Sequence, residues 1–256
     1  MRIVTWNVNS IRMRETRVKE WVERVRPDIL CMQEVKVDNA SFPTLTFTAL
    51  GYKVAVHGQR TYNGVAIAAR HDITDITTGF GDGGDDDHSR FIMATVAGVR
   101  VGSVYVPNGQ APGTDKYAYK LEWLARLRRW LDASADPASP LALCGDWNVA
   151  PGDLDVHDPK RWAGQILCSE PEREAWRQIV AWGTTDVYRA AHPTGTAFSW
   201  WDYRGVSFFK DQGLRIDHIL ATAPLAARLQ TCTIDREQRK GRDASDHAPV
   251  TADFTD

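Results

Sequence analysis

A chain of 256 residues that is 43% hydrophobic and carries ten tryptophans has the material for one self-supporting core, so a fold that depends on staples is excluded. A formal charge of −2 excludes nucleic-acid binding through net charge, and any such binding must come from a local basic face. No apolar run is long enough to span a bilayer, no leader precedes the first strand and no linker-like tract divides the chain, so residues 1–256 are expected to form one cytoplasmic, non-membrane domain.

Residues 2–7 read as a buried strand ending in Trp6 and Asn7. Residues 15–25 follow as a helix, because Val18, Trp21, Val22 and Val25 fall at i, i+3, i+4 and i+7 and make one apolar face. Residues 28–33 form the second strand, and Glu34 is the first acid beyond it. A strand, a helix and a strand imply a parallel pair, which brings the Asn7 carboxamide beside the Glu34 carboxylate. Residues 52–57 and 64–69 are expected to pair antiparallel. The acidic stretch 79–88 lacks the spaced ligands and closing glutamate of an EF-hand and reads as a solvated, mobile loop. Residues 91–96 and 99–105 make a hairpin turning at Ala97 and Gly98, and its end presents Tyr105 and Asn108. A helix over 116–133 turns Leu121, Leu124, Leu127 and Leu131 inward and leaves Arg126 and Arg129 on solvated faces.

Residues 141–149 are the most informative: four apolar residues, a glycine, then Asp146 and Asn148 two apart. In open α/β sheets ligands sit at the carboxyl ends of strands. An isolated G-D-x-N is more often an Asx turn, but here one strand after another ends in a carboxylate or carboxamide. The polar stretch 153–162 is long enough to be a functional loop. Ser169 and Glu172 form a capping-box signature for a helix that turns Trp176, Ile179 and Val180 inward. The aromatics of 198–203 with Phe208 and Phe209 read mainly as core, although their interleaving with Arg204, Lys210 and Arg215 also suits stacking on bases or sugars. Asp217 lies in a strand over 213–221 among Ile216, Ile219 and Leu220, a costly place unless it is paired. Asp246 and His247, just before a closing strand over 250–254, offer the partner. The four cysteines form no C-x-x-C pair, and Cys31 and Cys144 sit in apolar strands as small hydrophobes.

The strand-end groups are therefore Asn7, Glu34, Tyr105, Asn108, Asp146, Asn148, Asp217, Asp246 and His247. There is no nucleophile elbow, phosphate loop or zinc spacing. Oxygen-rich ligands with one histidine suit Mg²⁺, with Mn²⁺ as a substitute, and the reaction class is metal-assisted phosphoester hydrolysis. Glu34 is the expected metal ligand, with Asn7 and Asp246 completing or orienting its shell. Asp146 is expected to align and deprotonate the water, Asn148 and His247 to donate to the phosphate, Asp217 to orient His247, and Tyr105 to reach the phosphate or leaving group.

The ordered motifs W-N-V-N, Q-E-V-K, Y-V-P-N-G, G-D-W-N-V-A-P, F-S-W-W-D-Y-R, G-L-R-I-D and S-D-H-A-P-V resemble the exonuclease III family of apurinic/apyrimidinic endonucleases, over essentially the whole chain. The resemblance implies an α/β fold, a DNase I-like four-layered sandwich of two packed mixed sheets flanked by helices. It implies Mg²⁺-dependent cleavage 5′ to abasic sites in double-stranded DNA, with 3′→5′ exonuclease and 3′-phosphatase or phosphodiesterase activity at 3′-blocked ends, by a monomer. It further implies that Arg90 and Asn108 contact substrate phosphate and that Trp200 and Leu214 wall the pocket for the baseless sugar. Some relatives carry Trp where Leu214 stands and Asp where Asn9 stands. A same-fold phosphoesterase acting on a non-DNA substrate, or a non-catalytic nucleic-acid-binding scaffold, is the alternative, and metal-dependent turnover of DNA separates these readings.

Overall fold

A computed structural model describes residues 1–84 and 88–255. Strands β1 (Arg2–Asn7), β2 (Ile29–Gln33), β3 (Lys53–His57), β4 (Val65–Ala69), β11 (Leu229–Ile234) and β12 (Val250–Phe254) form one sheet, ordered β11-β12-β1-β2-β4-β3. Strands β5 (Ile73–Thr78), β6 (Phe91–Val96), β7 (Val99–Tyr105), β8 (Leu141–Asp146), β9 (Thr184–Asp186) and β10 (Asp217–Thr222) form the other, ordered β5-β6-β7-β8-β10-β9. Both are mixed. The pairs β1·β2 and β7·β8 are parallel, as expected for the first, and the neighbouring pairs are antiparallel.

The sheets pack face to face through small and branched side chains, with Ile29, Cys31 and Ile67 of one against Ile92, Cys144 and Ile219 of the other. Each outer face is covered by helices. Trp6, Leu30 and Met32 meet α1 (Ile11–Val25) and α2 (Thr44–Ala49) through Val18, Trp21 and Phe47. Met93 and Leu143 meet α3 (Asp115–Ser134) through Trp123 and Leu127. Covered on both faces, β4, β8 and β10 are buried at every residue, which is why they are apolar runs rather than alternating ones. The result is the four-layered sandwich. All four cysteines are buried thiols, and among the described residues no helix is long and apolar enough to cross a membrane.

Several elements depart from the sequence reading. Helix α1 begins at Ile11, four residues early, because Ile11 is itself core. The stretch 153–162 is not an open loop: it holds a 3₁₀ turn (Asp153–Asp155) and α4 (Pro159–Trp162), and Asp155 is buried against Arg215 and Arg189. Strand β10 begins only at Asp217, and Leu214 joins Val156 and Trp200 by isolated bridges. Arg126 is not a solvated charge, since it pairs with Asp82 and lies over Phe80. Residues 85–87 of the acidic stretch lie outside the described residues.

The register places the chemistry. Tyr105 pairs with Asp146 across the parallel β7·β8 ladder, and Asp146 pairs with Asp217 across β8·β10, so a phenol and two carboxylates lie in one row at a strand end. From the facing sheet, Asn7 and Gln33 close the parallel β1·β2 pair at the same end. A buried polar bridge ties the two sheets there, with Gln33 Nε2 donating to Ser103 Oγ at 2.9 Å and Ser103 Oγ donating to the Met32 carbonyl at 3.0 Å.

Candidate active site

Asn7 joins the two sheets chemically. Its buried Nδ2 donates to Glu34 Oε1 at 2.8 Å and to Asp146 Oδ2 at 2.9 Å, so a neutral amide stands between two carboxylates that would otherwise repel. Glu34 holds a left-handed backbone, φ 51°, a conformation costly for a branched or long side chain and persisting where the surroundings fix it. Here its carbonyl accepts from Ser10 N at 2.7 Å, and the following amide of Val35 donates to Gly64 O at 3.1 Å. Lys36 returns to the site, with Nζ 2.8 Å from Glu34 Oε2 and 2.5 Å from Asn9 Oδ1. Asn9 Nδ2 donates onward to Asp246 Oδ1 at 2.9 Å, and Trp200 Nε1 donates to Asp246 Oδ2 at 3.0 Å.

Asp217 and His247 form the pair that the sequence suggested. His247 Nδ1 lies 2.9 and 3.1 Å from the two Asp217 oxygens, which turns Nε2 toward Asp146 Oδ2 at 3.7 Å. Ser199 completes the support: its hydroxyl donates to Asp217 Oδ2 at 2.6 Å and accepts the amides of Ile216 and Asp217. Burial alone would depress the imidazolium, but the charges of Asp217 and Asp146 outweigh it and raise His247 well above its ordinary value. Asp146 is pushed up by burial and by the charges of Asp217 and Glu34, against the pull of His247. Burial, with Glu34 close by, raises Tyr105 and keeps it a phenol.

Beside this row Asn148, also left-handed at φ 49°, donates through its own amide to Asp146 Oδ1 at 3.0 Å. Its Nδ2 donates to Val106 O at 2.9 Å, and its Oδ1 accepts from Asn108 Nδ2 at 3.2 Å. The Arg90 guanidinium stacks 4.5 Å from the Tyr105 ring centre, and its buried Nε has no protein acceptor among the described residues. An orphan donor of this kind fits an incoming anion. Glu34, Arg90, Tyr105 and Asn108 also line a cleft of about 410 Å³ that runs out past Tyr62 and Lys116.

Comparison with known proteins bears on this arrangement. Residues 4–247 match the Endonuclease/Exonuclease/phosphatase family. The chain belongs to that family. It is 35% identical to exodeoxyribonuclease III of Haemophilus influenzae over 99% of this chain and 100% of that one. Its fold superposes at a TM-score of 0.96 on the 3′ phosphatase NExo from Neisseria bound to product DNA hairpin, with 42% identity over 100% of this chain and 99% of that one. The same TM-score relates it to an AP endonuclease from Archaeoglobus fulgidus, at 41% identity over 99% of both chains. The protein is thus a DNA repair nuclease of the exonuclease III group, a phosphodiester hydrolase.

Within this nuclease, atoms of Glu34, Asp146 and His247 come within 4.8 Å of one another; the two carboxylates suit a hard divalent cation, while His247, raised by Asp217 and Asp146, faces them as a proton donor. Asp246 stands one step out, with both oxygens engaged by Asn9 and Trp200. Trp200 is half-buried at the rim, bridged to Leu214 and to His247. Leu214 has no exposed surface and packs with Val156, Leu167 and Ile216 under Trp200.

The sequence reading missed three residues of this nuclease's site. Ser199 gives no periodic signal inside F-S-W-W. Lys36 looks like an ordinary surface lysine, two residues past Glu34. Lys120 is fully buried beneath Asn108 and Asn148, and it shares a helical face with Leu124, Leu127 and Leu131. A lysine in that row was the available signal.

Proposed function

We propose that this nuclease uses Mg²⁺, or Mn²⁺ in its place, to hydrolyse the phosphodiester 5′ to abasic sites in duplex DNA, and that it also trims nucleotides and blocking phosphates from 3′ ends. The observation that carries the reading is the convergence of Glu34, Asp146 and His247 from both sheets on one point, beside Asn148 and an Arg90 whose Nε has no acceptor among the described residues. The relatives support its two halves, one being named a 3′ phosphatase and another an AP endonuclease.

Glu34 would hold the cation, with Asn7 and Asp246 keeping that carboxylate edge oriented. Bound there, a divalent cation would supply Lewis-acid stabilisation of charge on the phosphate and leaving oxygen. Asp146, made more basic by its burial and its acidic neighbours, aligns a water and takes its proton. His247, kept protonated by Asp217, donates from Nε2 to a phosphoryl oxygen. Asn148, Asn108 and Arg90 donate to the remaining oxygens, preorganised charge stabilisation of the oxyanion-hole type. Tyr105 offers its phenol proton toward the phosphate or leaving group, and Trp200 stands at the edge of the sugar pocket.

The test is cleavage of a labelled duplex with one abasic-site analogue, beside the undamaged duplex and one ending in a 3′-phosphate, each with Mg²⁺ and with EDTA. Mg²⁺-dependent incision at the lesion and release of the 3′-phosphate are expected. Progressive shortening of all three duplexes without incision at the lesion would overturn the abasic-site half, and turnover in EDTA would overturn the metal.

A further inference from the structure

Lys120 is the strongest feature that the mechanism above leaves unused. Its ammonium has three hydrogens and three acceptors: the Asn148 carbonyl at 2.6 Å, the Asn108 carbonyl at 3.2 Å and the Glu172 carboxylate. Glu172 is equally enclosed and accepts the amides of Leu167 at 3.0 Å and Ser169 at 3.1 Å, together with the Ser169 hydroxyl, which also meets Tyr117 Oη at 2.6 Å. The pair therefore joins α3 and α5 (Glu170–Ala181) to the two loops that end β7 and β8. Gly109 lies directly on the lysine stem. At φ +88° it adopts a backbone that side chains avoid, and a Cβ there would stand 2.9 Å from Lys120 Cδ.

Stability does not account for such a pair. Two fully buried charges usually do no better than an apolar pair of the same volume, so their retention points to what they orient. What they orient is specific: the carbonyls of Asn108 and Asn148, whose side chains are bonded to each other at 3.2 Å beside Asp146.

We propose that Lys120, seated on Glu172, is a positioning residue that fixes the Asn108 and Asn148 carboxamides against the phosphate. The inference rests on the reading of those carboxamides given above. It predicts energetic coupling, because the Asn108 carboxamide is itself held by Asn148 Oδ1, so a residue acting through the pair loses its lever once the Asn148 side chain is gone.

The experiment is a double-mutant cycle on the single-turnover cleavage rate of the full chain, with Lys120→Met/Glu172→Gln as one change and Asn148→Ala as the other. The first change is expected to slow cleavage about 10- to 100-fold, the scale of a misplacement near 1 Å, with DNA affinity unchanged. In the Asn148→Ala background it should add almost nothing. An equal fold-loss in both backgrounds marks a general folding defect and overturns the inference while leaving the site reading intact. Full activity of Asn148→Ala overturns the site reading, and the inference with it. Gly109→Ala keeps both charges and lifts the loop from the lysine stem. It should reproduce the slowed step, and wild-type turnover by a folded Gly109→Ala protein would equally overturn the inference.

Discussion

Asp146 takes one hydrogen bond from Asn7 and one from the Asn148 amide, and it faces Asp217 across the sheet. Exchanging it for asparagine keeps its shape and removes its basicity. Asp146→Asn is expected to lower turnover by about 10²- to 10⁴-fold, the worth of a positioned general base, with DNA affinity within a few-fold of wild type. Single-turnover rates beside a binding isotherm check this, and near-normal cleavage would remove the role. Glu34→Gln should shift the metal-activation curve to higher Mg²⁺, and an identical titration would argue against Glu34 as ligand. At this scale much was legible. Asp217 among isoleucines demanded a partner, and Asp246-His247 just before the closing strand offered one. The supports were not legible, because Ser199 acts through a hydroxyl whose partners come together only when 198–200 folds back along 214–217.

Strand β10 is held in register by residues that never reach the substrate. Arg215 donates to Asp155 at 2.8 Å, to Asp186 at 2.7 Å and to His218 Nδ1 at 2.8 Å. His218 Nδ1 is therefore an acceptor, and Nε2 carries the hydrogen given to the Val149 carbonyl at 3.0 Å, one residue past Asn148. A second proton on this ring would face a guanidinium. Burial, then the Arg215 charge, lowers His218 to about 4 from an ordinary 6.5. Between those values the unfolded chain binds a proton that the folded one refuses, so the His218 contribution is complete above about pH 6.5 and is lost as the pH falls toward 4. Urea midpoints should therefore drop by about 2 kcal/mol of stability between pH 7 and pH 5 through this residue alone. His218→Gln should flatten that window, and an unchanged slope would mean that His218 titrates normally. Element positions were largely readable from periodicity. What was not readable was polar burial: Asp155 in an apparently loose polar stretch, and Lys120 in a leucine face, become interior only because distant acids and carbonyls receive them.

The whole molecule is built so that neither sheet holds the site. Asn7 and Glu34 come from one sheet and Tyr105, Asp146 and Asp217 from the other, and the bonds from Asn7 to Asp146 and from Gln33 to Ser103 cross the interface at the reactive end. The sequence pattern identified the apolar strands and their polar ends, but not the exposed edge strands β5 and β11 or the short β9, nor the order of pairing, in which β1 lies beside β12 from the far end of the chain; the family motifs carried only the two-sheet sandwich. The architecture argues for one cooperative unit. Each sheet needs the other to cover its inner face, and Asp146 and Asp217 of one sheet find their amide and imidazole, Asn7 and His247, on the side of the other. Heating should then give a single calorimetric transition. A divalent cation at about one hundred times its Kd should move that transition as a whole, by the ~2.7 kcal/mol that mass action supplies, or several degrees for a chain of this size. Two resolved transitions, with the cation shifting only one, would show that each sheet folds with its own helices and that the site forms by docking afterwards. Ser103→Ala sharpens the distinction. It orphans Gln33 Nε2 at the interface and should lower the stability read from the single transition by about 1–3 kcal/mol, whereas independently folding halves would lose that bond only on docking and keep both transitions in place.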